Sequence, residues 1–120
     1  MDVQPVLDLP EALKRSMGDA QFLKMLLDEL CNAIPDFIAR LNEAHQRGDM
    51  AAMGREAHQL KGAAANLSAK AVAAAVLKME EISKSGNSES FDQAMAELEI
   101  AAQSFKQYVK QIDWTAVNDG

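Results

Sequence analysis

Along almost the whole chain, apolar residues return every three or four positions, the spacing of one face of an α-helix. From Phe22 the series runs through Leu26, Leu30, Ala33, Phe37, Leu41 and Ala44, with Leu23, Leu27, Ile34 and Ile38 widening the stripe. A second series is Met50, Met53, Ala57, Leu60, Ala64 and Leu67; a third is Val72, Val76, Met79 and Ile82. The last is Phe91, Met95, Leu98, Ala102, Phe105, Val109 and Ile112. Strand signals are almost absent: β-branched residues are few, whereas Ala, Leu, Met, Glu, Lys and Gln, all good helix formers, abound. Such a chain is all-α.

Helix ends are marked as clearly as helix faces. Asp8 is placed to cap a short first helix, with Pro10 where its missing N–H costs nothing and Glu11 three residues after the cap. Gly18 ends that helix and Asp19 caps the next; Gly48 ends the second and Asp49 caps the third. Pro35 lies inside the second run, where it lacks an amide and crowds the carbonyl of Cys31, so a kink or a break is expected. Asn66 to Ser68 read as a turn, with Ser68 as the cap of the fourth helix, and Lys84 to Ser90 as a loop. Four long amphipathic helices with short connections pack as an antiparallel four-helix bundle, with the short N-terminal helix laid across one end. The Ala-rich stretches Ala63–Ala65 and Ala69–Ala75 would let two of them approach closely. The 120 residues fit a single domain, with a core over about 8–114 and a frayed tail at 115–120.

Composition narrows the partners. Twelve Lys and Arg against 18 Asp and Glu leave a net charge of −6. That balance disfavours nucleic acid and anionic membrane surfaces. One cysteine, Cys31, excludes an internal disulfide and a multi-thiolate zinc site. With no basic-then-apolar leader and no apolar run near ~18 residues, a cytoplasmic protein without membrane insertion is expected. A monomer is the expected state, because each apolar face is needed inside the bundle.

Chemistry concentrates between Arg55 and Leu67, R-E-A-H-Q-L-K-G-A-A-A-N-L. On a helical wheel with the apolar series inward, His58 falls ~130° from the core direction and Lys61 ~60° around from it, one turn on. Gly62 points outward. Glycine inside an exposed helix costs about 1 kcal/mol relative to alanine. It is either a tolerated bend or a deliberate gap through which a macromolecule reaches the imidazole. Small residues at Gly54 and Ala65 favour the gap, since they clear the same side. His58 alone would read as an ordinary surface histidine. His45 reads as a solvated residue at a helix C-terminus, where a cation is welcome.

No nucleophile elbow, phosphate-binding loop or metal-ligand pairing of histidines accompanies this stretch. An exposed imidazole is mostly neutral at pH 7 and therefore nucleophilic. A neighbouring ammonium suits an incoming phosphoryl group, whose oxygens need a cation.

The stretch H-Q-L-K-G-A-A-A-N-L-S-A resembles the signature of the histidine-containing phosphotransfer (HPt) domains of bacterial multistep phosphorelays. The resemblance extends over nearly the whole chain: L-D-L-P-E-A-L with M-G-D after it, F-L-K-M-L-L-D-E-L, A-R-L-N-E-A into R-G-D-M, and K-M-E-E-I before the loop. It implies that His58 is the phosphoacceptor, on Nε2, that Lys61 steadies the phosphoryl oxygens, and that Gly62 admits the partner. It further implies an acidic or amide side chain on the next helix holding the Nδ1 proton, a position that falls on Glu80. The alternative for Glu80 is an exposed carboxylate paired with Lys84 at i+4, and the sequence leaves the two open. Arg55, Gln59, Gly62 and Ala65 would form the partner-binding surface.

The implied partners are response-regulator receiver domains and a hybrid sensor histidine kinase. The chain would need no cofactor of its own, with Mg²⁺ on the partner receiver, and would act as a phosphocarrier rather than an enzyme. A helical adaptor of the same fold without phosphoryl traffic is the alternative. One departure is visible: many family members carry glycine where this chain has Ser68.

Overall fold

Three aspartates start three helices. In the computed structural model, which describes residues 4–117, Asp8 accepts a hydrogen bond from the Glu11 N–H (3.1 Å), Asp19 from Phe22 (3.0 Å) and Asp49 from Ala52 (3.0 Å). Each satisfies an amide that the first helical turn would otherwise leave unpaired. The helices that result are α1 (Leu9–Arg15), α2 (Ala20–Gln46), α3 (Met50–Asn66), α4 (Lys70–Ser85) and α5 (Phe91–Gln111), with a single 3₁₀ turn at Ser88–Ser90 before α5. No strand occurs among the described residues.

The apolar faces close on one another as their periodicity requires. Leu23, Leu27, Leu30, Ile34 and Leu41 of α2 are buried with Met53, Ala57, Leu60 and Ala64 of α3. Val72, Val76 and Met79 of α4 and Leu98, Phe105 and Val109 of α5 complete the core. α2 and α4 each touch both α3 and α5, so the four long helices form a closed ring. The chain is an all-α, antiparallel four-helix bundle with a short extra helix at its N-terminus.

α2 continues through Pro35 as one helix, so of the two outcomes expected there, a break does not occur. Apolar residues on both sides of the proline bury on the same face of the bundle. Their packing outweighs the roughly 3 kcal/mol that an interior proline costs.

The α3–α4 turn departs from expectation in an informative way. Ser68 does not cap α4; Ala69 occupies that position, with no side-chain bond. Ser68 instead takes a left-handed backbone, φ +59°, the conformation for which glycine is favoured after a helix. Its buried hydroxyl donates to Glu11 Oε1 at 2.7 Å, and its carbonyl accepts from the Asp8 N–H at 3.0 Å. Lys70 reaches the other oxygen of Glu11 at 3.4 Å. These bonds pin α1 to the turn, so a serine that strains the backbone gains a partner that glycine could not reach.

At the other end of the chain, Asp113 accepts from the N–H and hydroxyl of Thr115, which orders the first residues of the tail expected to fray. Residues 118–120 of that tail lie outside the described residues.

Replacing Ser68 by Ala and by Gly removes the same hydroxyl, but only glycine relieves the left-handed strain. Ser68→Gly is therefore expected to be more stable than Ser68→Ala by about 1 kcal/mol, measured by urea denaturation. Equal stabilities would show that the turn stores no strain.

Candidate functional site

α3 and α4 share the most extensive helix contact in the bundle, and small residues make it so. Ala57 and Ala64 on α3 are fully buried, as are Ala69, Val72 and Val76 on the α4 side. Gly54 belongs to this contact and not to the exposed face assigned to it from sequence. A Cβ there would lie 3.0 Å from Ser83 Oγ on α4, while that hydroxyl already donates to the Glu80 carbonyl at 2.6 Å. The close approach carries the side chain of Glu80 across to the flank of α3.

There it meets the two residues singled out by the sequence. Glu80 Oε2 lies 3.4 Å from His58 Nδ1, and Oε1 is ion-paired with the Lys61 ammonium. His58, Lys61 and Glu80 thus form one cluster bridged by the carboxylate. The His58 side chain is 74% exposed and that of Glu80 only 9%. Lys61 is intermediate. Glu80 forms this pair in preference to the i+4 pairing with Lys84. A neutral imidazole that carries its proton on Nδ1 donates toward Glu80 and leaves the lone pair on Nε2.

Lys61 sits where expected along α3, and its ammonium goes to Glu80. The Lys61 hydrogen bond is the main reason that the Glu80 carboxyl titrates below the usual carboxylate range; burial opposes the shift and His58 adds to it.

Around the ring the surface is low. Gly62 is exposed, and a Cβ placed on it would meet nothing within 4 Å. Nothing among the described residues therefore requires glycine there. Arg55, Gln59 and Ala65 are exposed on the same helix. The Ala65 carbonyl accepts a 2.9 Å bond from the guanidinium of Arg15, so α1 borders the far end of this ridge. Sequence reasoning missed that contact, because nothing local to Arg15 signals where α1 docks.

His45 is a second correction. It is half-buried, and its ring stacks on Phe91 with centroids 3.9 Å apart and planes 5° from parallel. The antiparallel return of α5 brings Phe91 beside the last turn of α2, a tertiary contact invisible in the local sequence.

An apolar groove between α1 and the end of α5, lined by Leu9, Leu13, Tyr108 and Ile112, includes none of the three clustered residues. The His58 cluster is an open flank rather than a cleft. Among the described residues no helix is long and apolar enough to cross a membrane.

A family model described as the Hpt domain matches residues 25–111. The chain belongs to the Hpt domain family. The match takes in all but the first turn of the second helix and the whole of the third, fourth and fifth, including all three clustered residues. No curated protein and no solved structure matches the chain significantly. Hpt domains serve histidine phosphotransfer in phosphorelays, as phosphocarriers rather than catalysts. Receiver domains and kinases are the partners that the family implies.

The charge balance of this Hpt domain's site can be checked directly. Because the folded-state pKa of Glu80 is lowered, its pairing contributes stability above the unfolded-state value, and that contribution is lost as the pH falls through the folded one. The stability difference between the native protein and Lys61→Met should therefore be largest at neutral pH and shrink with acid. In carbon NMR the Glu80 carboxyl should titrate at higher pH in the variant; an unmoved titration would mean that Lys61 does not hold it.

Proposed function

We propose that this Hpt domain is a phosphocarrier in which His58 accepts a phosphoryl group from the aspartyl phosphate of one receiver domain and passes it to another. The observation that carries the reading is the exposure of the His58 ring beside Gly62, combined with a carboxylate at Nδ1. The ring can be approached from outside, and its tautomer is set from within.

His58 Nε2 attacks the phosphorus in line, and the aspartyl oxygen departs. Lys61 stabilises the negative charge spread over the phosphoryl oxygens in the transition state. Glu80 orients the ring through Nδ1, as carboxylates behind metal-binding histidines orient theirs. Mg²⁺ belongs to the receiver's half of the site. Arg55 adds local positive charge toward an acidic receiver pocket, which matters on a chain of net charge −6. Gln59, Gly62 and Ala65 supply the small or polar surface on which the receiver rests.

Incubation with a phosphorylated receiver domain should label the protein with phosphate that is stable to base and labile to acid. His58→Gln should abolish the label while the helical circular dichroism is unchanged. A label that persists in this variant would remove His58 as the acceptor.

Gly62 separates folding from docking. Gly62→Gln should stabilise the helix by about 0.5–1 kcal/mol and at the same time slow transfer from the receiver. Transfer at the native rate in the stabilised variant would mean that the gap at Gly62 has no role in access.

A further inference from the structure

Glu80 is the one charged side chain buried among the described residues. Burying a carboxylate is costly unless it is paired, and both of its oxygens face the site. Lys61 takes Oε1, and the contact from His58 Nδ1 to Oε2 is long for a hydrogen bond, at 3.4 Å. In this state the ammonium takes the greater share of the carboxylate's charge. The ring takes the lesser.

A phosphoryl group on Nε2 reverses that preference. The loaded site would hold a cationic ring, a dianionic phosphoryl group, the Lys61 ammonium and the Glu80 carboxylate. If Lys61 stayed on Glu80, two cations would share one carboxylate while the phosphoryl charge went uncompensated. The arrangement with two matched pairs puts Lys61 on the phosphoryl oxygens and leaves Glu80 to the ring. Lys61 lies three residues from His58 on the same helix and is about one-third exposed, so its flexible stem can make the change.

We propose that Lys61 and Glu80 form a partner-exchanging pair, in which Lys61 neutralises Glu80 in the unphosphorylated protein and moves to the phosphoryl group on loading, so that Glu80 then holds the Nδ1 proton of phosphorylated His58. This rests on His58 being the acceptor, as given above.

The consequence concerns discharge. On loading, the Nε2 lone pair forms the N–P bond, and the electron pair of the broken P–O bond leaves with the donor aspartate. Nδ1 keeps its proton throughout, so the ring becomes cationic. On discharge the N–P bond breaks, its electron pair returns to Nε2, and phosphorus bonds to a carboxylate oxygen of the next aspartate. The ring then departs as neutral imidazole. If Nδ1 lost its proton while loaded, the leaving group would be an imidazolate anion, which is far poorer. Glu80 is thus a positioning residue that keeps the carrier able to unload.

Few other groups intrude on this pair. From α3, His58 and Lys61 are the charged groups that act on Glu80. On α4 itself, Ser83 is bonded to the Glu80 carbonyl. From α5, Glu97 pairs with Lys78 at 2.6 Å.

The test loads the full chain with phosphoramidate, a small-molecule donor, and follows discharge onto a purified receiver domain as a function of pH. Glu80→Gln keeps the shape and an acceptor oxygen but removes the charge. It should discharge about tenfold more slowly than the native protein at about pH 8.5, and within about twofold of it near pH 6. Lys61→Met should slow discharge by a similar factor at every pH. Superimposable profiles for the native protein and Glu80→Gln would overturn the proposal, as would a Lys61→Met profile that bends like that of Glu80→Gln.

A measurement on the unaltered protein guards against misfolding of the variants. Nitrogen NMR should show Nδ1 of phosphorylated His58 still protonated at alkaline pH where a phosphorylated peptide of residues 55–62 has released its proton. Coincident titrations would overturn the proposal. Failure of phosphoramidate to load His58 at all would instead sink the phosphocarrier reading on which it rests.

Discussion

The close approach of α3 and α4 is the constraint on which the rest of the molecule depends. Alanines at 57, 64 and 69 and glycine at 54 let the two backbones come near enough that Ser83 stands within contact distance of a missing Cβ. With bulkier residues at those positions the helices would separate, and the reach of a glutamate side chain would no longer span the gap to His58. Interior packing is unforgiving at the scale of one methylene, so the geometry of the cluster is set by residues that take no part in its chemistry. The glycines at 54 and 62 illustrate two different uses of a missing side chain. One lets a neighbouring helix in; the other leaves the surface open.

Exposure of His58 follows from its phase on α3 rather than from any special local structure. The core face is set by Met53, Ala57, Leu60 and Ala64, all fully buried, and residue 58 falls well off that face. The same helix then turns Lys61 toward α4 and Gly62 toward solvent. An amphipathic helix one register out of phase would bury the imidazole, so the hydrophobic pattern that stabilises the fold also determines which side chain is presented.

Much of this was legible in the sequence because it is local. The three aspartate caps, the helix faces and the outward position of His58 depend on residues three or four apart. Glu80 was reached through family resemblance, with the Lys84 pairing left open, since nothing local says which neighbour a carboxylate on the next helix will meet. Apart from the Asp113–Thr115 turn in the tail, the features that escaped are long-range. Ser68 looked like a cap because it precedes a helix, but its hydroxyl is claimed by Glu11, 57 residues away. His45 looked solvated until α5 returned to stack Phe91 on it, and the break considered at Pro35 was averted by packing across the bundle.

Lys61 shows why placement on a helix does not by itself assign an ammonium to a partner. Helical geometry puts it one turn from the imidazole, which suffices for it to serve a phosphoryl group there. Without such a group, a lysine beside a nearly buried carboxylate will pair with it, because an unpaired buried carboxylate is costly. The pairing does not compete with a role in transfer. In the proposed transfer, a lysine already held at the site by Glu80 would lose less side-chain freedom on meeting a phosphoryl group than one waiting in solvent, and ordering a long side chain costs up to about 2 kcal/mol. In the proposed carrier the carboxylate that orients the ring would also keep the cation in reserve, and both functions would require the same short distance between α3 and α4.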